Sequence, residues 1–342
     1  MSRCRAWITG FAVSVLWVGG PGAHAQQPSA PASQEPAQPT PLFRAVANVV
    51  RVDTLVTERG KPVGKLTADD FELYDAGVKQ QVTAASIEDV DIDVVLVLDT
   101  SRSVAGSRLQ SLRDAASALV RNLKPEDRAA VITFASGVTV HAPLTTDHTA
   151  VSRALETAEA RGATSLVDAA WTSVLLAHGN DRPTLVLIFS DGADTASWLR
   201  VSPVIAQASR ANLVVDAVVA GGGRLLRQQP RRPSPSPAPA GSTASAVVPP
   251  TAAAAAAAAT EPRDAGIENF LVDLTGATGG SVIDGSSGSR LEGAFIAALR
   301  EFRTRYQLSY TPTGVDRPGW HPLDVRVRRP GATIRARPGY TQ

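Results

Sequence analysis

The sequence predicts an α/β protein: a doubly wound, mostly parallel sheet, flanked by a β-sandwich that the N- and C-terminal strands build together. Three observations predict it. Apolar, β-rich runs at Val94–Leu98, Ala129–Phe134, Leu185–Phe189 and Leu213–Val219 are continuous rather than alternating, as in strands covered on both faces. Segments of helical periodicity separate these runs, the rhythm of a parallel sheet with crossover helices. Before and after this region, apolar and polar residues alternate with period two, the pattern of half-buried strands.

The first residues fall into three parts. Arg3 and Arg5 are followed by a mostly apolar stretch from Ala6 to Gly20 and by the small-x-small triplet Ala23-His24-Ala25. That is the layout of a secretory signal peptide over residues 1–25. The alternative is an uncleaved anchor, but a membrane span needs about 20 apolar residues and this stretch is shorter. Export to the periplasm, the cell surface or the medium is therefore expected. The single cysteine, Cys4, precedes the apolar stretch and leaves with the signal, so the mature chain has neither a disulfide framework nor thiol chemistry. The formal charge of +2 disappears as well: without Arg3 and Arg5, 32 Lys and Arg stand against 32 Asp and Glu. Nothing in that balance points to nucleic acid, and no later segment has the length and apolarity of an integral membrane helix.

Residues 26–41 are rich in Pro, Gln, Ser and Ala and read as a disordered linker. Residues 42–90 read as the N-terminal part of the sandwich. Val50, Val52, Thr54 and Val56 alternate with Arg51, Asp53, Leu55 and Thr57. Arg59-Gly60-Lys61-Pro62 is a turn signal, Phe71–Tyr74 a second strand, Asp75-Ala76-Gly77 a further turn, and Val78–Ile87 a returning strand.

The α/β domain spans 91–305. Between Ser107 and Lys124, Leu109, Leu112, Ala116, Leu119, Val120 and Leu123 fall on one helical face, and Pro125 stops the helix. Residues 147–160 and 165–177 read as further helices. Residues 224–263, proline-rich and then polyalanine, have little to bury and read as a disordered insertion. The alanine run is shorter than the roughly 12–15 residues that an isolated helix needs. The α/β rhythm resumes with a helix at 267–275, an edge strand at 279–283, and a capping-box pattern from Ser289 to Glu292. A helical stripe follows at Leu291, Phe295, Ala298, Leu299, Phe302 and Tyr306. The Pro/Ala segment is thus an insertion within one domain. In residues 306–342, Leu323, Val325 and Val327 alternate with polar residues, Arg329–Ala332 is a turn, and Ile334 and Ala336 alternate again, as in a hairpin. Such a hairpin cannot stand alone, which is why both chain ends are expected to complete one sandwich.

Three features sit at the expected carboxyl ends of strands, where open α/β sheets place ligands. Val94–Leu98 runs into Asp99-Thr100-Ser101-Arg102-Ser103, a D-x-S-x-S pattern. Gly162-Ala163-Thr164-Ser165 lies in the loop before a helix. Leu185–Phe189 runs into Ser190-Asp191-Gly192. Taken alone, Asp99 reads more readily as a helix cap. Two carboxylates and several hydroxyls together suit a hard divalent cation such as Mg²⁺. Few negative charges surround such an ion, so it stays electrophilic, and one position can remain open for a carboxylate from another molecule.

These residues resemble the metal-ion-dependent adhesion site of von Willebrand factor type A (VWA) domains. The resemblance implies a Mg²⁺ site, or one for Mn²⁺ or Ca²⁺, with Asp99, Ser101 and Ser103 from the first loop, Thr164 from the second and Asp191 from the third. It implies a protein partner that presents an acidic residue, and binding rather than catalysis. Arg102 stands where many relatives have glycine. The segments Gly60–Val63, Leu66–Leu73 and Asp75–Gln80, with the tail from Tyr306 to Tyr340, resemble the parts around the VWA domain in secreted bacterial VWFA-related proteins. The alternative is a metal-dependent hydrolase, phosphohydrolase-like, on the same sheet. It would need a second acid two residues after Asp99, where Ser101 stands, and a nearby lysine, whereas the lysines are Lys61, Lys65, Lys79 and Lys124. G-x-S-x-G and P-loop patterns are absent, and His141, His148, His178 and His321 form no metal-binding motif.

Overall fold

The structure, a computed structural model, describes residues 49–179, 182–190, 194–220, 269–285, 288–315 and 318–341. The expected signal peptide (1–25), the linker (26–41), the first residues of the N-terminal β part and the insertion (224–263) lie outside the described residues, as does Asp191.

The described chain begins with β1 (Val50–Glu58), β2 (Lys61–Pro62), β3 (Phe71–Asp75), β4 (Val78–Gln80) and β5 (Ala84–Ser86). An α/β stretch follows: β6 (Asp93–Asp99), α1 (Ser107–Arg121), β7 (Arg128–Phe134), β8 (Val138–Thr145), α2 (His148–Glu156), α3 (Leu166–Ala177), β9 (Thr184–Ser190), α4 (Val201–Ala208) and β10 (Leu213–Val219). Further along the chain come α5 (Phe270–Thr278), β11 (Val282–Asp284) and α6 (Gly288–Arg303), and then β12 (Tyr306–Tyr310), β13 (Trp320–Val327), β14 (Ala332–Ala336) and β15 (Gly339–Thr341).

Six strands form the central sheet in the order β11-β10-β9-β6-β7-β8. All neighbours are parallel except β7 and β8. The continuous apolar runs have the expected cause, since each face of each inner strand has its own cover. Val94, Leu96 and Leu98 pack with Leu112 and Leu119 of α1 and with Phe295 and Leu299 of α6. Val95 and Val97 face the other way, against Leu166 and Val174 of α3, Val204 of α4 and Phe270 of α5. Burial of this apolar surface, at about 25 cal/mol per Å², is the main force holding the layers.

Register levels the strand ends. Asp99 lies opposite Phe134, Leu98 opposite Phe189 and Val219 opposite Ser190, so the carboxyl ends of β6, β7, β9 and β10 form one edge. β6 and β9 are neighbours, but the chain leaves β6 for α1 on one face and β9 for α4 on the other. Diverging loops of this kind open a crevice at the sheet edge.

Both chain ends contribute to two antiparallel sheets. One has the order β14-β1-β12-β5, with β2 on β1, and the other the order β15-β13-β3-β4. Val52, Val56, Leu308 and Tyr310 of the first share one apolar cluster with Phe71, Leu73, Leu323, Val325 and Tyr340 of the second. Where this part meets the central domain, Arg305 is buried and donates from Nη2 to the Gly279 carbonyl at 2.7 Å. Burial there pushes the Asp216 carboxyl above its usual range, although its Oδ1 accepts the Ser281 amide at 2.7 Å.

Several elements differ from the sequence expectation. Val78–Ile87 is not one strand. β4 pairs with β3 and β5 pairs with β12, so the segment crosses between the two sheets. Gln80 fixes the crossing, its Oε1 accepting the Thr313 amide at 2.9 Å. β13 and β14 do not form a hairpin either. β14 pairs with β1 and β13 with β3, so the two chain neighbours belong to different sheets. Strand β8 has no counterpart in the sequence expectation, and α4 fills the helical stretch expected between β9 and β10. α2 ends at Glu156 rather than near residue 160. The strand expected at 279–283 begins at Val282, because Gly279, at φ +78°, closes α5 in the left-handed conformation.

Candidate metal centre

Asp99 is the last residue of β6 and is fully buried. Its Oδ1 accepts the Ser101 amide at 2.8 Å and its Oδ2 accepts the Ser190 hydroxyl at 3.0 Å. The carboxylate is therefore held from its own loop and from the end of β9. Ser101 is buried and Ser103 exposed, with their hydroxyl oxygens 2.9 Å apart. Donors thus lead from the interior to the surface. The first loop is anchored to β7, where the Phe134 carbonyl accepts the Thr100 amide at 2.8 Å and its hydroxyl at 3.1 Å.

The loop carrying Thr164 lies against this one. The Arg161 amide donates to the Thr100 carbonyl at 2.7 Å and the Arg102 amide to the Gly162 carbonyl at 3.2 Å. Gly162 is at φ +77°, and a Cβ there would collide with the Ser136 hydroxyl, which accepts the Ala163 amide at 2.9 Å. Glycine is required on both counts. Thr164 is buried, and its amide donates to Thr195 Oγ1 at 3.0 Å. Beside it Ser165 is also buried, and its hydroxyl oxygen has no hydrogen-bond partner among the described residues.

The structure brings Asp99, Ser101 and Ser103 together and sets the Thr164 loop beside them. Asp191 lies outside the described residues, next in sequence to Ser190. Asp194 is engaged elsewhere, its Oδ1 accepting the Leu166 amide at 2.7 Å and the Ser197 hydroxyl at 2.6 Å, where it caps α3. Sequence reasoning gave Ser190, Ser136 and Thr195 no role. Ser190 had a signal, a serine at a strand end just before Asp-Gly. The other two act through contacts about 30 residues distant in sequence, which no local pattern reveals.

The donor set fits a small divalent cation. Adjacent oxygens in an octahedral shell with bonds of about 2.1 Å lie about 3.0 Å apart, close to the 2.9 Å between the two serine hydroxyls. Among the described residues no three His, Cys, Asp or Glu side chains gather.

Residues 94–193 match the family model described as the von Willebrand factor type A domain. The chain contains a von Willebrand factor type A domain. Among solved structures it is similar to the VWF domain of the type V pili tip protein Mfa5 from Porphyromonas gingivalis, at 20% identity over 31% of this chain and 39% of that one, with a TM-score of 0.30. It is similar to an aerotolerance-related membrane protein from Bacteroides fragilis, at 16% identity over 62% of this chain and 98% of that one, TM-score 0.41. It is also similar to proximal thread matrix protein 1 from the mussel byssus with a zinc-occupied MIDAS motif, at 12% identity over 65% and 48% of the two chains, TM-score 0.45. The chain thus spans less than half of the Mfa5 and byssus chains. No curated protein matches the sequence. Among the described residues, no helix is long and apolar enough to cross a membrane.

Proposed function

We propose that this VWA protein is an exported, metal-dependent binding module. Asp99, Ser101, Ser103, Thr164 and Asp191 hold a divalent cation, Mg²⁺ or else Mn²⁺ or Ca²⁺, that engages an acidic side chain of a protein partner. One observation carries the reading: Asp99 is fixed from two sides behind a pair of serine hydroxyls at ligand spacing, the outer one exposed. The bound cation supplies an electrophilic centre with a coordination position for the partner's carboxylate. The protein's own groups do the rest. The Ser101 amide and the Ser190 hydroxyl keep Asp99 from turning away, and Ser136 and Thr195 hold the loop that presents Thr164.

The domain limits follow the same reading: a signal peptide over 1–25, a linker over 26–41, a VWA domain over 91–305, and a β-sandwich built from 42–90 and 306–342. The shared apolar cluster of the two antiparallel sheets supports the sandwich. Residues 1–25 support export by their composition.

Thermal unfolding of the mature protein tests the proposal. Mg²⁺ or Mn²⁺ should raise Tm, and Asp99→Ala should remove the shift. A wild-type curve unchanged between cation and chelator overturns it. Turnover of a model phosphate ester that is lost in Asp99→Ala would replace binding with catalysis.

A further inference from the structure

Trp198 is 87% exposed and Leu199 beside it 41% exposed. Large apolar side chains left in water next to a site often mark a binding surface. These two are held in place. The Trp198 and Leu199 amides donate to the two carboxylate oxygens of Asp168, at 3.0 and 2.9 Å, in the first turn of α3. The same loop is tied to the candidate metal centre, where the Thr164 carbonyl accepts the Thr195 and Ala196 amides, each at 2.9 Å. The two residue steps from Ala196 to Trp198 span at most about 7 Å of extended chain. Trp198 therefore stands on the rim of the sheet edge that carries Thr164.

Two arginines lie on the loops of the same edge, beside Asp168, whose carboxylate is taken up by the Trp198 and Leu199 amides. Arg102 and Arg200 are exposed and have no ion-pair partner among the described residues. Arg102 sits on the first loop, bonded through its amide to Gly162.

We propose that Trp198 and Leu199, with Arg102 and Arg200, form the second half of the partner-binding face. The occupant is an acidic peptide segment with an aromatic or aliphatic side chain close to the carboxylate that reaches the cation. The proposal rests on the metal-dependent reading above and adds to it the chemistry of the partner. Unpaired guanidiniums select acidic sequence. A tryptophan on a fixed backbone offers a large contact area at low ordering cost, which is why such residues dominate interface energies.

The test is selection of short random peptides on the mature protein in Mg²⁺, with elution by chelator. Eluted peptides should place Asp or Glu near Trp, Phe, Leu or Met. A synthetic copy of an enriched peptide should bind Trp198→Ala at least ~10-fold more weakly, about 1.4 kcal/mol, and Trp198→Phe nearly as well as wild type. The Mg²⁺-induced rise in Tm should persist in Trp198→Ala, which shows that the fold and the cation site are intact. Equal binding to wild type and Trp198→Ala overturns the proposal. So does Mg²⁺-dependent pelleting with anionic vesicles, or a doubling of mass in light scattering, if either is lost in Trp198→Ala; the face would then belong to a membrane or to a second copy. If wild type shows no Mg²⁺ response, the metal reading fails by itself. Selection in chelator, scored by the same Trp198→Ala comparison, then decides whether the face still binds such peptides.

Discussion

Asp75 and Asp99 each end a strand, and both are fully buried, yet their surroundings differ in kind. Asp75 lies between the two antiparallel sheets. Its Oδ2 accepts the hydroxyls of Tyr310 and Tyr340, each at 2.8 Å, and its Oδ1 lies 3.0 Å from His321 Nδ1. These partners are themselves buried, and His321 stacks on Tyr340 at 4.9 Å. Asp75 thus holds buried side chains on both carboxylate oxygens. Polar contacts that start at Asp99 pass through the Ser101 amide and hydroxyl to Ser103, which is exposed. Burial of a carboxylate therefore does not by itself mark a site. The distinguishing feature is whether its polar neighbours are themselves buried or lead to an exposed group.

The largest effect should come from the knot around Asp75. Asp75→Ala leaves two phenol hydroxyls and an imidazole in the core without their acceptor. It should cost about 3–5 kcal/mol in urea unfolding. A loss under about 0.5 kcal/mol, the usual size for a surface change, would break the contrast between the two aspartates.

Asp99→Asn keeps the size of the side chain and removes its charge. Its main effect should be on linkage: a cation at 100 times its Kd adds about 2.7 kcal/mol to the wild type, and the variant should gain nothing measurable by the same unfolding assay.

Two glycines sharpen the point on a smaller scale. Gly60 and Gly162 have nearly the same φ, +74° and +77°, but a Cβ meets nothing at Gly60 and the Ser136 hydroxyl at Gly162. Gly60→Ala should cost about 1–2 kcal/mol, from the left-handed backbone alone. Gly162→Ala should cost more than Gly60→Ala and also weaken the cation response, because the Thr164 loop must shift. Equal costs and an intact response would show that the loop position is unimportant.

The smallest effect is a pH dependence confined to the knot. Burial, with Asp75 alongside, pushes the Tyr340 hydroxyl up to about 12, and Tyr310 is raised for the same reasons. The folded state then keeps protons that unfolded tyrosines lose near pH 10. Stability from this source is complete below about pH 10 and declines as pH rises towards 12. Tyr340→Phe should make the decline shallower in denaturant titrations between those limits, and an unchanged slope would remove Tyr340 from the effect.

The central domain was legible in the sequence because strands covered on both faces leave continuous apolar runs, and its helices leave a 3.6-residue stripe. Strand β8 left no such trace. It is an antiparallel edge strand with register shifts, and Val140 on it is exposed. The sheet assignments of β5 and β14 were illegible for another reason. Alternation shows that a strand has an inner face but not which sheet that face completes. In the candidate site, Asp99, Ser101 and Ser103 stood in one short motif. Ser190 grips Asp99 from 91 residues away, and such a contact exists only once β6 and β9 are known to be neighbours.

The most direct measurement is calorimetric titration of Mn²⁺ into the metal-free protein and its Asp99→Asn variant. The strand-edge site predicts saturable binding near one ion per wild-type chain and none in the variant. No binding by the wild type, or equal binding by both proteins, would contradict it.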